Sequence, residues 1–382
     1  MSRIKKVITT ILIITMVVIL PACGKKANLH EFDETKPLVL TFITIGKGDA
    51  FLLTMPDGSH YMIDTGKEED FIQIGKALKD KNVSDLDGIF LSHGHLDHTG
   101  SLKGIADIFN VKKVYMSLKD TASYKKADIN DMLEGTGTEI VYLEGGEEFN
   151  LGGVNTKIWI PKEIDEENEN NNSVVMKLTY GNISCLMTGD MELEEEVLYM
   201  AENKDIEADI LKLGHHGETD ASSDKFLEKV NASIGIVCGN EEENAESVTI
   251  EMKNKLDKYK MEVMYSAPEY LAVDYIINGR SIELKYIEEP EKNIESNINI
   301  AGFSRKDETI TLDNAGNEKV DISKYVIVSE KEKEVYVVPD GTVIEPGSSL
   351  ILDSGKIWKK KDKALLYDNN FNFLDRFDKE NE

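Results

Sequence analysis

Ser92–Gly100, SHGHLDHTG in one-letter code, holds three of the chain's seven histidines within six residues, at His93, His95 and His98. Two more are adjacent, His215 and His216, in LKLGHHGE at Leu211–Glu218. Imidazoles crowded in this way neither pack nor pair well, so the clustering points to ligation. Neutral imidazole and carboxylate are the usual donors for a hydrolytic zinc or manganese ion. From alternate and adjacent positions of one tight loop, His93, His95, Asp97 and His98 can reach a common cavity. The apolar run GIFL, Gly88–Leu91, reads as a buried strand entering the loop, and Thr99-Gly100 opens a helix after it. Two further apolar strands end in donors: ISCLMTGD closes on Asp190, and ADILKLGHHG on His215-His216. Three strand ends thus deliver metal-type ligands.

Outward from these, strands are expected at Leu38–Ile45, Ala50–Thr54, Tyr61–Ile63, Lys113–Met116, Ile140–Leu143, Thr156–Ile160, Val174–Thr179, Ile183–Thr188, Ile210–Leu213, Ser233–Val237 and Glu262–Tyr265. Helices are expected at Asp70–Lys81, Gly100–Phe109, Thr121–Leu133, Leu193–Glu202, Ser223–Val230 and Val248–Tyr259. The alternation predicts a layered α/β domain over residues 37–287, with loops at strand ends free to carry chemistry. The charged run EEPEKNIESN suggests a linker over 288–296. Beyond it, short strands separated by NAGN, PDG and PGSS predict a small all-β sandwich over 297–382.

The N-terminus is of another kind. MSRIKK is followed by fourteen uncharged apolar residues, Val7–Leu20, a length suited to a secretory signal rather than to a bilayer span of about 20 residues. It ends in LPAC, which resembles a bacterial lipobox with Cys23 as the lipidated residue. On this reading residues 1–22 are a lipoprotein signal peptide, 23–36 a tether, and the chain is exported and held at the outer face of the cell membrane. Cys185 and Cys238 then remain, too few for a disulfide framework or a cysteine-rich zinc site. The formal charge is −27, with about −26 on residues 23–296, which opposes eager binding of a polyanion.

The spacing HxHxDH, a later Asp and a late His resemble the metallo-β-lactamase superfamily, and within it the hydrolase domain of the DNA-uptake protein ComEC. The closer likeness rests on TIGKGDAFLL (Thr44–Leu53), YMIDTG (Tyr61–Gly66), NNNSVVMKLTYGNISCLMTGDME (Asn170–Glu192) and LKLGHHGETDASS (Leu211–Ser223). The resemblance implies an αββα sandwich with two divalent ions, zinc or manganese, between the sheets. It implies that His93 and His95 hold one ion, Asp97 and His98 the other, with Asp190 bridging and His215 completing the second site beside His216. Asp64 would orient the histidine loop, and Asn172-Ser173 would lie near the site. Asp97 and Asp190 are the catalytic candidates. No histidine occurs from residue 99 to 214, where many superfamily members place a further ligand.

The implied reaction is phosphodiester hydrolysis, with DNA the first substrate and a smaller phosphodiester or envelope ester the alternative. Ser222 and Ser223 precede a helix and would either receive a phosphate oxygen or cap that helix. ETITLDNAGNEKVDISKYVIVS and its successors resemble the lamin-tail domain, an immunoglobulin-like sandwich, implying tethering or recognition of an envelope polymer or protein. Were the histidine loop unable to hold metal, the chain would instead be a surface-binding scaffold. A monomer is expected. The acidic run Glu163–Asn172 reads as a mobile loop, and GKGDA lacks the Gly-Lys-Ser/Thr ending of a phosphate loop.

Overall fold

The structure is a computed structural model, and it describes residues 32–117, 128–240, 247–289 and 294–378. The signal peptide, Cys23 and most of the tether lie outside the described residues. Among the described residues, no helix is long and apolar enough to cross a membrane.

Two sheets form the body. The first has eight strands in the order Ile282–Ile287, Ala272–Ile277, Leu38–Ile43, Ala50–Thr54, His60–Thr65, Gly88–Phe90, Lys113–Ser117 and Glu139–Leu143. It is antiparallel up to His60–Thr65 and parallel beyond. The second has seven: Glu262–Tyr265, Ile234–Val237, Ile210–Lys212, Ile183–Met187, Val175–Tyr180, Val154–Trp159 and Glu148–Leu151. Its first four strands are parallel and the rest antiparallel.

Strand periodicity sorts the apolar side chains into layers. Phe51 and Leu53 join Phe42, Leu178, Ile210, Ile236 and Tyr275 between the sheets, whereas Leu52 points outward. That outer face is covered by helices Phe71–Asp80, Leu102–Ile108 and Ile129–Leu133. Helices Leu193–Glu202, Asp224–Val230 and Ile250–Lys258 cover the outer face of the second sheet. The order is helix, sheet, sheet, helix.

Four local results differ from the sequence expectation. The hairpin Ala272–Ile277 and Ile282–Ile287 returns to the first sheet beside Leu38–Ile43, and Glu148–Leu151 adds a further edge strand. A short helix, Leu96–Thr99, precedes the one expected at Gly100–Phe109, which runs Leu102–Ile108. The chain is pinned between them, because Gly100 N donates to Gly66 O, and a Cβ on Gly100 would lie 2.5 Å from Glu68 N. Of the helix expected at Thr121–Leu133 only Ile129–Leu133 is described, residues 118–127 lying outside. The acidic run Glu163–Asn172, read as a mobile loop, is laced instead: Asn170, Asn171 and Asn172 are buried, and Asn172 both accepts from Asp165 N and donates to Asp165 O.

The remaining strands are all β and share one core around Ile310, Leu312, Ile327, Trp358 and Leu366. One sheet runs Ile298–Ser304, Thr309–Asn314, Ser349–Asp353; another runs Val335–Val337, Val326–Ser329, Ala364–Tyr367, Phe373–Phe377. The strand Val326–Ser329 is buried on both faces. Ile327 enters its own core, while Val326 and Val328 pack on the helices of the first sheet. Phe371, fully buried with φ 62°, completes that contact: its ring lies 5.3 Å from Phe71 edge-on and 6.1 Å from Phe109 stacked.

Candidate metal centre

Strand ends deliver the polar residues, in the crevice beyond the carboxyl ends of strands where open α/β sheets place their ligands. His93, His95, Asp97 and His98 follow Gly88–Phe90. Asp190 follows Ile183–Met187, His216 follows Ile210–Lys212, and Asp49 precedes Ala50–Thr54. The Asp190 turn needs Gly189, whose φ is 53° and whose Cβ would meet Ser173 Oγ and Ser92 Cβ at 2.8 Å. Ser173 Oγ also accepts from Asp190 N at 2.9 Å, fixing the carboxylate at the end of its strand.

Each histidine is held by an oxygen on one ring nitrogen and turns the other inward. His98 Nδ1 faces Asp64 Oδ2 at 2.8 Å, and Asp64 also accepts from Ser92 N and Oγ, both at 2.7 Å. His93 Nδ1 faces Ser92 Oγ at 3.1 Å. His216 Nδ1 faces Asp49 Oδ1 at 3.4 Å, and His95 Nε2 faces Glu169 Oε2 at 3.3 Å. The inner nitrogens converge on Asp190 Oδ2: His216 Nε2 at 3.0 Å, His98 Nε2 at 3.1 Å and His93 Nε2 at 3.9 Å. His95 Nδ1 lies 3.0 Å from His93 Nε2, and Asp97 Oδ2 lies 3.2 Å from His216 Nε2. An oxygen on the outer nitrogen sets the tautomer that leaves a lone pair facing a metal.

The donor set fits a cation. His216 is fully buried, yet neither of its ring nitrogens has an aligned hydrogen bond, nor does Asp49 Oδ1. Orphaned buried polar atoms are costly, and a cation where the inner nitrogens converge would satisfy His216 Nε2. One donor atom each from Asp49, His98, Asp190 and His216 falls within a 4.8 Å group. Asp49 is better read as an orienting residue than as a ligand, since its oxygens face the outer nitrogen of His216 and the ammonium of Lys212. Asp97 takes the place beside His216 Nε2.

Lys212, which is fully buried, offsets part of the negative charge inside the centre. Its Nζ lies 2.7 Å from Asp49 Oδ2 and 3.1 Å from Asp190 Oδ1 and donates to Gly189 O at 2.6 Å. Only Oδ2 of Asp190 therefore faces the imidazoles. Burial alone would raise the carboxyl of Asp190, but His216, His98 and Lys212 hold it well below the usual carboxylate range. Burial is likewise overcome at Asp49, held at about 2 by Lys212, His98 and His216. At Asp64 burial prevails and the carboxyl is raised despite His98. Burial would lower His216, but Asp190, Asp49 and Asp97 push it up to about 10. His98 is raised by Asp190, Asp64 and Asp49 against burial, whereas burial lowers His93.

The structure brings together His93, His95, Asp97, His98, Asp190 and Asp64, with Ser173 supporting the Asp190 turn. One expectation is corrected, and of the two readings of Ser222 and Ser223 the structure shows the cap. His216, not His215, enters the centre. His215 turns to a separate group, 3.0 Å from Asp220 Oδ1 and 3.5 Å from Glu192 Oε1, with Asn170 Nδ2 at 3.3 Å. Ser223 takes the capping role. The Ser223 hydroxyl caps the following helix by accepting from Phe226 N, and Ser223 N donates to the Glu196 carboxylate, so the helix start already has its anion. Asn172 serves its own loop. Asp49, Lys212 and Glu169 were not among the expected residues; the one available signal was a lysine inside the apolar strand DILKLG.

Residues 43–239 match the Metallo-beta-lactamase superfamily. Among curated relatives, ComE operon protein 3 of Bacillus subtilis is 26% identical over 212 residues, covering 51% of this chain and 27% of that protein. Recombination protein 2 of Haemophilus influenzae is 24% identical over 201 residues, covering 51% and 23% respectively. The chain thus spans about a quarter of the length of these relatives. Among solved structures, the metallo-beta-lactamase fold protein YhfI of Bacillus subtilis aligns at 13% identity with a TM-score of 0.42, covering 60% of this chain and 96% of that one. With its match extending over more than half its length, the chain belongs to the metallo-β-lactamase superfamily, a family generally of metal-dependent hydrolases.

Proposed function

We propose that the protein is a two-metal phosphodiesterase, with DNA as its first candidate substrate, exported and anchored through lipid on Cys23. The observation that carries the reading is the convergence of three inward ring nitrogens, of His93, His98 and His216, on Asp190 Oδ2, with His95 and Asp97 alongside. His93 and His95 would hold one divalent ion, zinc or manganese, and Asp97, His98 and His216 the other, with Asp190 bridging through Oδ2. Such a pair lowers the pKa of a shared water and neutralises charge on a displaced ester. Asp97, kept ionised by His216 and His98 despite burial, suits a ligand better than a proton acceptor. Lys212 keeps Asp190 Oδ1 out of the centre, and Asp64 and Asp49 keep His98 and His216 turned inward.

The names of two relatives, Recombination protein 2 and a competence protein of Neisseria gonorrhoeae, support the DNA reading. The formal charge of −27 favours a second reading, a smaller phosphodiester. Export and anchoring rest on the apolar run Val7–Leu20 and LPAC. The all-β unit is lamin-tail-like by its motifs. Plasmid DNA and bis-p-nitrophenyl phosphate, each offered with zinc or manganese, separate the two readings. Hydrolysis that survives Asp190→Ala together with His98→Ala removes both.

A further inference from the structure

We propose that Glu169 is a positioning residue for His95, an inference that rests on the metal-dependent reading above. Of the four site imidazoles His95 is the least enclosed, with its side chain 43% exposed, against 0% for His93, His98 and His216. Within its own loop the ring meets His93 edge-on, with centroids 4.7 Å apart. Its outer nitrogen, Nε2, meets Glu169 Oε2 at 3.3 Å, while Nδ1 lies 3.0 Å from His93 Nε2. Glu169 thus does for His95 what Asp64 does for His98.

The contact is built and is not a surface ion pair. Glu169 opens the tight turn Glu169–Asn172, and its side chain is only 20% exposed with Oε1 buried and unpartnered. The turn is fastened on both sides. Asn168 Oδ1 accepts from Asn170 N at 3.2 Å, and Asn168 and Asn170 donate to the two oxygens of Glu192 at 2.7 Å each. Val174 N donates to Ser92 O at 2.8 Å, tying the exit of the turn to the start of the histidine loop. A carboxylate on so firmly held a turn fixes the ring orientation and the tautomer of its partner.

The chain has particular need of this. The ion between His93 and His95 has no third histidine, because none occurs from residue 99 to 214. Loss of the outer partner of a ligand costs about 10–100-fold in metal affinity, and a site with few protein ligands has little to offset it. The Asn-rich run, by this account, is the frame that carries Glu169 to His95.

The test is a Zn²⁺ titration of the purified full chain against a chromophoric chelator, comparing wild type with Glu169→Ala, Glu169→Gln and His95→Ala. The expected result is two binding steps in the wild type. Glu169→Ala should weaken one of them by about 10–100-fold, the same step that His95→Ala abolishes. Glu169→Gln, whose carbonyl can still accept from Nε2–H, should restore most of it. Wild-type affinities at both steps in Glu169→Ala, with His95→Ala still losing one, overturn the inference alone. Equal weakening of both steps together with a lowered thermal midpoint also overturns it, since that marks general loosening. A wild-type chain that takes up no Zn²⁺ overturns the metal reading and this inference with it.

Discussion

Phe371→Ala tests whether the all-β unit is an appendage or part of the hydrolase body. Phe371 is fully buried and lies between Phe71 and Phe109, which belong to the helical layer of the first sheet. Truncating such a ring costs about 3–5 kcal/mol. The helix Phe71–Asp80 should feel most of that, because a Cβ on Gly75 would lie 2.3 Å from the Phe371 ring. The assay is native-state hydrogen exchange at amides of that helix. At about 1.4 kcal/mol per factor of ten, exchange should accelerate by about two to four orders of magnitude. Gly75→Ala supplies the complement. Alone it clashes with the ring and should destabilise; with Phe371→Ala the clash is gone, and the helix-favouring methyl should recover about 1 kcal/mol. The two changes should therefore couple strongly in a double-mutant cycle. Unchanged exchange over Phe71–Asp80 in Phe371→Ala, or additive effects of the two substitutions, would refute the docking argument.

Three further outcomes can be checked directly. His216→Ala should lose one equivalent of bound Zn²⁺, whereas His215→Ala should keep both, as counted by elemental analysis after dialysis; the opposite pattern reverses the assignment of the pair. Lys212→Met leaves Asp49 and Asp190 buried without their cation and should cost about 3–5 kcal/mol in urea unfolding, while a cost below about 1 kcal/mol would place the lysine outside the charge balance. For pH, His216 is raised from 6.5 to about 10, so its stabilisation is complete below 6.5 and lost as pH climbs through 10. The thermal midpoint of chelator-treated protein should fall between pH 6.5 and 10 on this account. Zinc-supplemented protein should show the midpoint rising over the same range, because ligation needs neutral imidazole. Parallel trends in the two samples would contradict the assignment.

The strand ends that bring the imidazoles and carboxylates together were legible because their signal is local: an apolar run, then donors, each within one stretch. Which histidine of the pair points inward was not. His215 and His216 both have left-handed backbone, φ 43° and 53°, so the strand alternation that tells inside from outside stops just before them. Asp49 sits in a glycine turn with no apolar pattern of its own, and what gives it a role is Lys212, 163 positions away in sequence. The laced Asn turn looked mobile because composition reports polarity and not partners; its asparagines bond to Asp165 and Glu192. Phe371 falls in the stretch 297–382 read as a small sandwich, and only three-dimensional packing shows it against the other unit. The outer layers followed from periodicity, but the return of Ala272–Ile277 to Leu38–Ile43 joins the two ends of the domain, which no short window displays.

The charges around the imidazoles bear on both the number of ions and the kind of substrate. Five carboxylates face the four rings, those of Asp49, Asp64, Asp97, Asp190 and Glu169, against the single ammonium of Lys212. With neutral imidazoles the centre carries four formal negative charges, which two divalent ions cancel and one ion leaves half uncancelled. Two ions would therefore produce a neutral centre in a chain of charge −27. A neutral centre can take a phosphodiester, but the surrounding surface repels a long polyanion over a range of about 10 Å at 0.1 M salt. Added salt should then raise the hydrolysis rate of plasmid DNA, the reverse of the fall expected when basic side chains displace counterions from DNA. Bis-p-nitrophenyl phosphate, with a single charge, should change far less. If DNA hydrolysis instead declines with salt while the small ester holds steady, a cationic track must lead to the centre, and the acidic surface does not govern substrate choice.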